Sequence, residues 1–459
     1  MVPCPRLLLR YTADVNSSSA RTAYWESIVV VCASLLAAVR LFVQVSHYAV
    51  NLFFFDQWDF YSATLFERHS FLEMFRWQFG PHRLGLGSVL SRFLEPHFQW
   101  NGRAEAFIAT SLITVAALGA LYLKIKIWGP LSIWDVAIPL IFFTPAQYES
   151  LWVTTDFAHG PLPLLLLVLY CLALTCERAV SRYLLVLIVN FLAIYTGFGL
   201  LVGFVTPVWL ILEYYAGSSS GSASGLAIIA LIVSLLSLAS FFVSYKFEVA
   251  VDCFSPLPHS PITYATFFLG MLAHNLGARG PQIVSLPLGA AMLAAMILVL
   301  VAFARRSRQI ETYKARSLVP SVLVTYCLLF CAATAYGRSC LGSHLAFESR
   351  YTNYLALGML GVYFHFYSIV PQKARTILLS VLAMFLVGSI ETRPADRYFM
   401  EKYHEIKATW RNCYLSTENI GRCNEAVGSP IYPTPERTHL QAKLEYLKQA
   451  KQNLYSNSR

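Results

Sequence analysis

The stretch "SIVVVCASLLAAVRLFVQVSHYAVNLFFFDQWDF" covers residues 27–60 and joins a long apolar run to two aspartates. The run exceeds the roughly 20 residues that an α-helix needs to cross a bilayer. It is too long for the core of a signal peptide and has no small-residue cleavage site. We therefore predict a membrane-spanning helix over about 24–47, after which the chain reaches water near Asp56 and Asp59.

The rest of the chain has the same apolar character. Of its 459 residues, 56% are hydrophobic and only 13% are charged, whereas soluble domains have about 25% charged residues. The net charge of +10 does not indicate nucleic acid binding, because Lys and Arg cluster in short loops between apolar runs, which is typical of membrane topology. We predict an all-α integral membrane protein with many crossings and no nucleic acid partner.

About eleven crossings are predicted from the apolar runs. They cover residues 24–47, 103–123, 133–147, 159–176, 183–199, 201–215, 226–245, 285–304, 318–336, 350–370 and 375–391. The fifth and sixth form either a tight hairpin around Gly197, Gly199 and Gly203 or one broken helix. The apolar segment 263–280 is predicted to be interfacial or re-entrant, since another crossing would invert the basic loop at 305–316.

The basic residues fall mainly in alternate loops, which predicts the orientation. The basic loops contain Arg6, Arg10, Arg21, Lys124, Lys126, Arg178, Arg182, Arg305, Arg306, Arg308, Lys314, Arg316, Lys373 and Arg375. The other short loops hold little beyond Lys246, Arg279, Arg338 and Arg350. The positive-inside rule then places the N-terminus in the cytoplasm. A transmembrane domain (1–391) with a first outer loop (48–102) and a small helical tail outside the membrane (392–459) are expected, in a bacterial inner membrane.

The first outer loop is too long and too rich in aromatic residues to be a plain connector. Residues 62–79 predict an amphipathic helix at the membrane surface, and a second short helix is expected within 80–96, after a Gly-Pro break. The apolar stripe of the first helix consists of Leu65, Phe66, Leu72, Phe75 and Phe79, and charges such as Arg68 lie between its members. Together the two helices would form a platform over the spans.

The tail and the cysteines give weaker predictions. Residues 436–455 predict an amphipathic helix that packs on the outer face of the spans. Its apolar stripe consists of Leu440, Leu444, Leu447 and Leu454. Cys413 and Cys423 form a disulfide if their compartment is oxidising. Within the spans, packing is the expected role of Cys32, Cys171, Cys176, Cys327 and Cys331.

Asp56 and Asp59 are the first candidate catalytic residues. Their spacing places both on one face of a helical turn. Asp59 suits either a partner role or a helix N-cap. Asp56 follows three phenylalanines, and apolar surroundings should raise its pKa unless a cation or metal lies nearby. A carboxylate with a raised pKa at the membrane surface is a general-base candidate.

Two groups of polar residues lie in the same outer region. His82 and Arg83 follow in the first outer loop, where an arginine binds phosphate well or simply reaches lipid headgroups. Between the third and fourth spans, Glu149, Asp156 and His159 offer ligands for a divalent metal or only solvate and cap the loop. The seven-residue gap between Glu149 and Asp156 is not a recognisable metal spacing.

A third polar group lies between the ninth and tenth spans. It consists of Arg338, His344, Glu348, Arg350 and Tyr351. A cation at the start of a span usually faces a partner or a cavity. For Arg350 that partner is either the neighbouring Glu348 or the phosphate of a lipid.

These features resemble the GT-C superfamily of multi-spanning membrane glycosyltransferases. The shared pattern is a cytoplasmic N-terminus, a long first outer loop with interfacial helices, and an acidic motif just after the first span, here "FDQWDF" (55–60). The resemblance covers roughly residues 20–390 as architecture. It implies sugar transfer from a polyprenyl-phosphate donor on the outer face. Asp56 matches the family aspartate, and Gln57 stands where a second acid is common.

The predicted chemistry follows from this arrangement. Asp56, with Asp59, would accept the proton of an acceptor hydroxyl, and Arg350, Arg83 and His82 would stabilise the departing lipid phosphate. The remaining substrate-binding candidates are Trp58, Tyr61, Glu149, Asp156, His159, Arg338, His344 and Tyr351. Direct displacement would invert the anomeric centre. The acceptor is a glycan, lipid or protein, and no cofactor is certain, with Mg²⁺ or Mn²⁺ left open.

The alternative function is a transporter or flippase for a lipid-linked or small polar substrate. Such proteins also contain glycine-rich broken helices and charges within the membrane. They place polar residues near the bilayer midplane and usually contain an internal repeat. Because the charges here lie at predicted helix ends and no repeat is visible, the glycosyltransferase hypothesis is favoured.

Overall fold

The computed structural model describes residues 18–67, 69–216, 221–248, 251–255, 260–278, 282–306, 311–369, 371–390, 394–432 and 439–456. Several residues used for the predictions lie outside these ranges: Arg6, Arg10, Arg68, Arg279, Arg308 and positions 436–438. Within the described ranges the chain is helical apart from loops and one two-stranded ribbon.

The helices are named in chain order. They are α1 Ser18–Tyr48, α2 Gln57–Phe60, α3 Phe71–Phe75, α4 Gly85–Leu94, α5 Gly102–Trp128, α6 Ala137–Phe142, α7 Pro161–Leu174, α8 Ala179–Ile194, α9 Leu200–Ala216, α10 Gly221–Phe242, α11 Pro261–Asn275, α12 Gln282–Arg306, α13 Glu311–Arg338, α14 Thr352–Tyr367, α15 Gln372–Ile390, α16 Pro394–Thr417, α17 Ile420–Val427 and α18 Leu440–Ala450. The ribbon pairs β1 (Gln78–Phe79) with β2 (His82–Arg83) in antiparallel register. Short 3₁₀ and π turns join several of these elements.

Six helices in the described ranges are long and apolar enough to cross a membrane. They are Arg21–Tyr48, Gly102–Trp128, Gly197–Tyr215, Gly225–Phe242, Gln282–Arg305 and Ala315–Leu341. The prediction of an all-α membrane protein is confirmed at this level, but the count of eleven spans is not. The predicted spans at 133–147, 159–176 and 183–199 correspond to shorter apolar helices. Around Gly197 the chain forms two helices joined by a 3₁₀ turn, as the hairpin alternative predicted.

The first outer loop differs from its prediction. A single helix over 62–79 is wrong: a π turn covers Ser62–Phe66, and α3 begins separately after Ser70. Ser70 and Glu73 form a capping box there, which satisfies free N–H groups and so fixes a helix start. The ribbon follows, with Gly80 at φ +53° in its turn. The second short helix is confirmed as α4.

The helix α14 lies at the centre of the bundle, because residues 353–364 are all buried. It packs against α13 along a surface of small residues. A Cβ on Gly358 would lie 2.5 Å from Sγ of Cys327, and one on Gly361 would lie 2.9 Å from the Pro320 carbonyl oxygen. Small residues therefore allow the close approach of the two helices, as is common in membranes.

The tail folds back on the bundle, as predicted. Leu440, Leu444, Leu447 and Leu454 are all buried. Two disulfides are present, the predicted Cys413–Cys423 and the unpredicted Cys253–Cys340. Among the free cysteines, packing is confirmed for the buried Cys171, Cys327 and Cys331, whereas Cys176 is half-buried and Cys32 is exposed.

A buried ion pair lies near the C-terminal end of α5. Nζ of Lys124 lies 2.8 Å from Oδ2 of Asp135, and both side chains are fully buried. The Tyr363 hydroxyl donates to Oδ1 of Asp135 at 2.5 Å. The Lys124 ammonium also donates to the Pro130 carbonyl and lies 4.6 Å from the centre of the Tyr367 ring. The pair therefore ties α5, the following loop and α14 together.

We predict that Asp135→Ala lowers the free energy of unfolding by roughly 3–5 kcal/mol, because it leaves the Lys124 charge buried without compensation. Thermal and denaturant unfolding of the detergent-solubilised protein would measure the change. The control is Glu418→Ala, which breaks the exposed Lys448–Glu418 pair and should have little effect. Equal losses in the two variants would contradict the structural role of the buried pair.

Candidate functional site

Asp56 lies where the chain turns from α1 into the first outer loop. The turn places Phe55 at φ +48°, an uncommon conformation for a bulky residue. The Phe55 N–H donates to the Ile431 carbonyl of the tail at 2.8 Å, which holds the turn in place. Asp56 occupies the N-cap position of α2, yet its carboxylate makes no capping hydrogen bond.

The Asp56 carboxylate is half-buried and has no hydrogen bond or ion pair within the described residues. Burial raises its pKa, the positive charges of Arg350 and Arg338 lower it, and Asp59 raises it, with a net rise. An unpartnered carboxylate with a raised pKa retains the ability to accept a proton. This is the property that the sequence predicted for a general base.

Arg350 lies between two carboxylates. Its Nη2 is 3.2 Å from Oε1 of Glu149 and 3.0 Å from Oε2 of Glu348, and its Nε is 3.3 Å from the same Glu348 oxygen. Burial lowers the pKa of Arg350, but the two glutamates raise it by more. The predicted structural partner, Glu348, is thus confirmed. Because two acids neutralise the guanidinium, Arg350 has little net charge to offer a phosphate.

Arg338 has the opposite character. It ends α13, is half-buried, and makes no hydrogen bond or ion pair with the part of the chain that the structure describes. Its charge nevertheless acts on the pKa of Asp56 and of both histidines of the site. Arg338 is therefore a cation close to the candidate base and available to an anionic group.

His82 and His159 form a ring pair beside these charges. Their ring centroids are 5.0 Å apart with nearly perpendicular planes, and both contact Phe198. Nδ1 of His82 lies 3.1 Å from the Gly197 carbonyl oxygen. Since a carbonyl only accepts, we assign the proton to Nδ1. Burial, assisted by Arg338, lowers the pKa of His82 to about 4, and burial lowers that of His159 well below its usual range.

Asp156 lies in the segment between α6 and α7, residues 143–160, which we call the second outer loop after its predicted topology; the histidine pair is adjacent. Its Oδ1 accepts the Ala158 N–H at 2.8 Å, while its Oδ2 has no partner in the described ranges. Burial raises the pKa of Asp156 to about 7. Asn353, at the start of α14, is fully buried with both amide atoms similarly unpartnered, and its Nδ2 lies against Gly160. The sequence patterns missed Asn353 because a lone amide in an apolar span carries no charge signal.

Arg83 and Asp59 have structural partners. The Arg83 guanidinium donates to the carbonyls of Phe241, Arg76 and Val243 at 2.6–2.7 Å, and the residue is 2% exposed. Asp59 accepts the Tyr432 hydroxyl at 2.6 Å and lies 3.6 Å from the Lys443 ammonium. Arg83 thus supports the ribbon, and Asp59 anchors the tail. Neither contact set is that of a phosphate ligand or a free base.

The aromatic candidates are packed into the core. Trp58 is fully buried against Phe53, and Tyr61 is 3% exposed and donates its hydroxyl to Glu105. Neither ring presents a face to a sugar, so the prediction that they stack on substrate is corrected. The tail covers this side of the loop, which the local sequence could not indicate.

The remaining candidates divide. Tyr351 is buried, and its hydroxyl has no partner in the described ranges. Burial raises its pKa, and the charge of Arg338 lowers it. His344 is exposed on a separate 3₁₀ turn. Within the described ranges no group of three metal-ligating side chains occurs, and Glu149 pairs with Arg350 rather than approaching Asp156 and His159 as a ligand set.

Comparisons with protein-family models, curated proteins and solved structures find no match. The functional argument therefore depends on the site itself. In that site, charges of some residues shift the pKa values of others, so that the residues form one electrostatic cluster. Its members are Asp56, His82, Glu149, Asp156, His159, Arg338, Arg350 and Tyr351.

The lowered pKa of His82 predicts a pH effect on stability. A histidine with a folded pKa near 4 and an unfolded pKa near 6.5 binds more protons when unfolded, so stability is lost as pH falls through that window. We predict that His82→Gln reduces the steepness of this loss. The measurement is the unfolding temperature between about pH 7 and pH 4.

The control for this experiment is His344→Gln, which changes an exposed histidine outside the cluster. Changes shared by both variants come from the loss of an imidazole as such rather than from the burial of His82. A His82→Gln curve parallel to the wild-type curve would show that His82 is not held neutral in the folded protein.

Proposed function

We propose that the protein is a membrane glycosyltransferase of the GT-C type that moves a sugar from a polyprenyl-phosphate donor to an acceptor. The observation that carries the proposal is the Asp56 carboxylate, which has no partner among the described residues, together with the Arg338 guanidinium, which is equally unpaired there and whose charge lowers the pKa of Asp56. Both lie where helices α1 and α13 end and where α5, α7 and α14 begin. A base and an anion-binding cation at one end of a membrane bundle suit a substrate with a lipid tail and a polar head.

In the proposed reaction, the acceptor hydroxyl oxygen attacks the anomeric carbon of the donor sugar. The new C–O bond forms as the bond from that carbon to the phosphate oxygen breaks, and the hydroxyl proton passes to Asp56. The lipid phosphate leaves with the bonding electron pair as an anion, which needs no general acid. Direct displacement of this kind inverts the anomeric centre.

The other residues of the cluster have supporting roles in this proposal. Arg338 stabilises the departing phosphate, a role for which the sequence ranked Arg350 first. The positive charges of Arg350 and Arg338 keep the pKa of Asp56 from rising further. The neutral His82, His159 and the free oxygen of Asp156 are suited to hydrogen bonding with sugar hydroxyls. A divalent metal, Mg²⁺ or Mn²⁺, is not required by this chemistry.

The topology is part of the proposal. The N-terminus would be cytoplasmic, and the cluster and tail would face the outside of a bacterial inner membrane. Both disulfides support this side, since Cys340 follows Arg338 by two positions and Cys413–Cys423 lies in the tail that holds the Asp56 turn. Disulfides persist in oxidising compartments.

We predict that Asp56→Asn lowers kcat for sugar transfer by roughly 100-fold or more, because the proton acceptor is lost. The measurement uses purified protein with a panel of radiolabelled polyprenyl-phosphate sugars. Asp252→Asn, which removes an exposed carboxylate outside the cluster, is the matched control and should leave kcat within about twofold. Equal rates in wild type and Asp56→Asn would exclude Asp56 as the base. A wild type that transfers no sugar but moves a lipid-linked substrate between leaflets would favour the transporter alternative.

We also predict that Arg338→Gln lowers kcat/KM on the order of 100-fold, because the developing phosphate charge loses its cation. Arg422→Gln, an exposed change in the tail, should leave the rate within twofold. Suppose that Arg350→Gln impairs transfer in a stably folded protein while Arg338→Gln does not. Arg350, as predicted from the sequence, would then be the residue that stabilises the phosphate, and the assignment of Arg338 would be wrong.

A further inference from the structure

Gln57 joins three separate segments around the site. It follows Asp56 directly and is only 1% exposed. Its Oε1 accepts the Phe54 N–H at 2.9 Å, and its Nε2 donates to Oε2 of Glu105 at 3.2 Å and to the Thr155 carbonyl at 2.7 Å. One amide thus connects the first outer loop, the start of α5 and the second outer loop.

The neighbouring residues strengthen this connection. Glu105 is 1% exposed and accepts the Tyr61 hydroxyl with its other oxygen. The buried Lys407 of the tail also donates to the second outer loop, to the carbonyls of Trp152 and Val153 at 3.2 and 2.9 Å. The carbonyls at 152, 153 and 155 therefore all receive donors, immediately before Asp156.

The positions along the chain give this network a functional meaning. Asp56 precedes Gln57, and Asp156 follows Thr155. The 2.7 Å bond from Gln57 to Thr155 therefore joins the direct neighbours of the two acids. A hydrogen bond at that point restrains the separation of the two backbone segments that carry these carboxylates, and small displacements of catalytic groups cost large factors in rate.

An acid could not replace Gln57 in this environment. A glutamate would lose both Nε2 donor contacts, and one of its carboxyl oxygens would take the place of the nitrogen that now lies 3.2 Å from Oε2 of Glu105, so that two acids would meet in a buried site. The amide is thus the side chain that this geometry requires. This differs from the expectation that a second acid belongs at the position.

We infer that Gln57 is a positioning residue that sets Asp56 relative to Asp156. The expected effect on kcat rests on the proposed function, whereas the role of Gln57 in connecting the two loops does not depend on it. It predicts that loss of the Nε2 donor loosens the second outer loop and lowers kcat more than it changes the donor KM.

The first experiment compares Gln57→Met, which keeps the shape but removes both donor contacts, with the matched control Gln147→Met. Gln147 is also buried and donates to one carbonyl, that of Phe142, but it does not reach the first outer loop. Hydrogen–deuterium exchange of residues 152–159 in the purified full chain is read without any substrate. Faster exchange only in Gln57→Met supports the inference, and equal exchange in the two variants overturns it.

The second experiment measures transfer by Gln57→Glu, Glu105→Gln and the double variant. We expect kcat to fall at least tenfold in Gln57→Glu, with the donor KM within about threefold, and to recover at least threefold in the double variant, because the exchanged pair again joins a donor to an acceptor. Undiminished or increased transfer by Gln57→Glu would overturn the inference and indicate a catalytic acid position. Absence of transfer in the wild type would contradict the proposed function, and the exchange experiment would still decide the role of Gln57.

Discussion

The cost of placing charge in a poorly hydrated environment governs how this protein arranges its ionisable groups. In a membrane bundle an unpaired buried charge is expensive, and the chain meets that cost in several ways. Lys124 pairs with Asp135 at 2.8 Å, Arg350 lies between two glutamates, and Lys407 donates to two carbonyls. These groups are structurally satisfied, so their charges hold elements together.

Against that background the unsatisfied groups stand out. Asp56 and Arg338 lack partners within the described residues, and Asp156 has one free oxygen. They are gathered at the same ends of helices, where a neutral histidine pair adds hydrogen-bonding atoms without adding charge. An acid and a cation that lack partners among the described residues, in one electrostatic cluster, support the proposal of a reaction site. Glu95 is a further buried acid with an unpartnered oxygen in the described ranges.

The sequence predicted the membrane class and many residues of the polar cluster because both depend on local signals. Long apolar runs identify spans, and charges at their ends identify polar clusters. The roles of individual residues depended instead on distant contacts. Asp59 meets Tyr432 across 373 positions, and Trp58 and Tyr61 became core because the tail and α5 cover them. No local pattern indicates which loop a tail will cover. The single helix over 62–79 failed for a local reason, since the Ser70–Glu73 capping box marks a helix start inside the stripe.

The two aspartates of "FDQWDF" show how one motif can divide its roles. Their spacing alone makes them equivalent candidates, because both fit one face of a helical turn. The contacts of the tail make the two aspartates different. Asp59 accepts the Tyr432 hydroxyl and lies 3.6 Å from the Lys443 ammonium. The Ile431 carbonyl accepts the Phe55 N–H, and the Asp56 side chain has no partner in the described ranges. Gln57, which follows Asp56, donates instead to the Glu105 carboxylate and the Thr155 carbonyl. The motif therefore contains an anchor for the tail, a connector between the outer loops and a free carboxylate. The position of that carboxylate depends on both of the others.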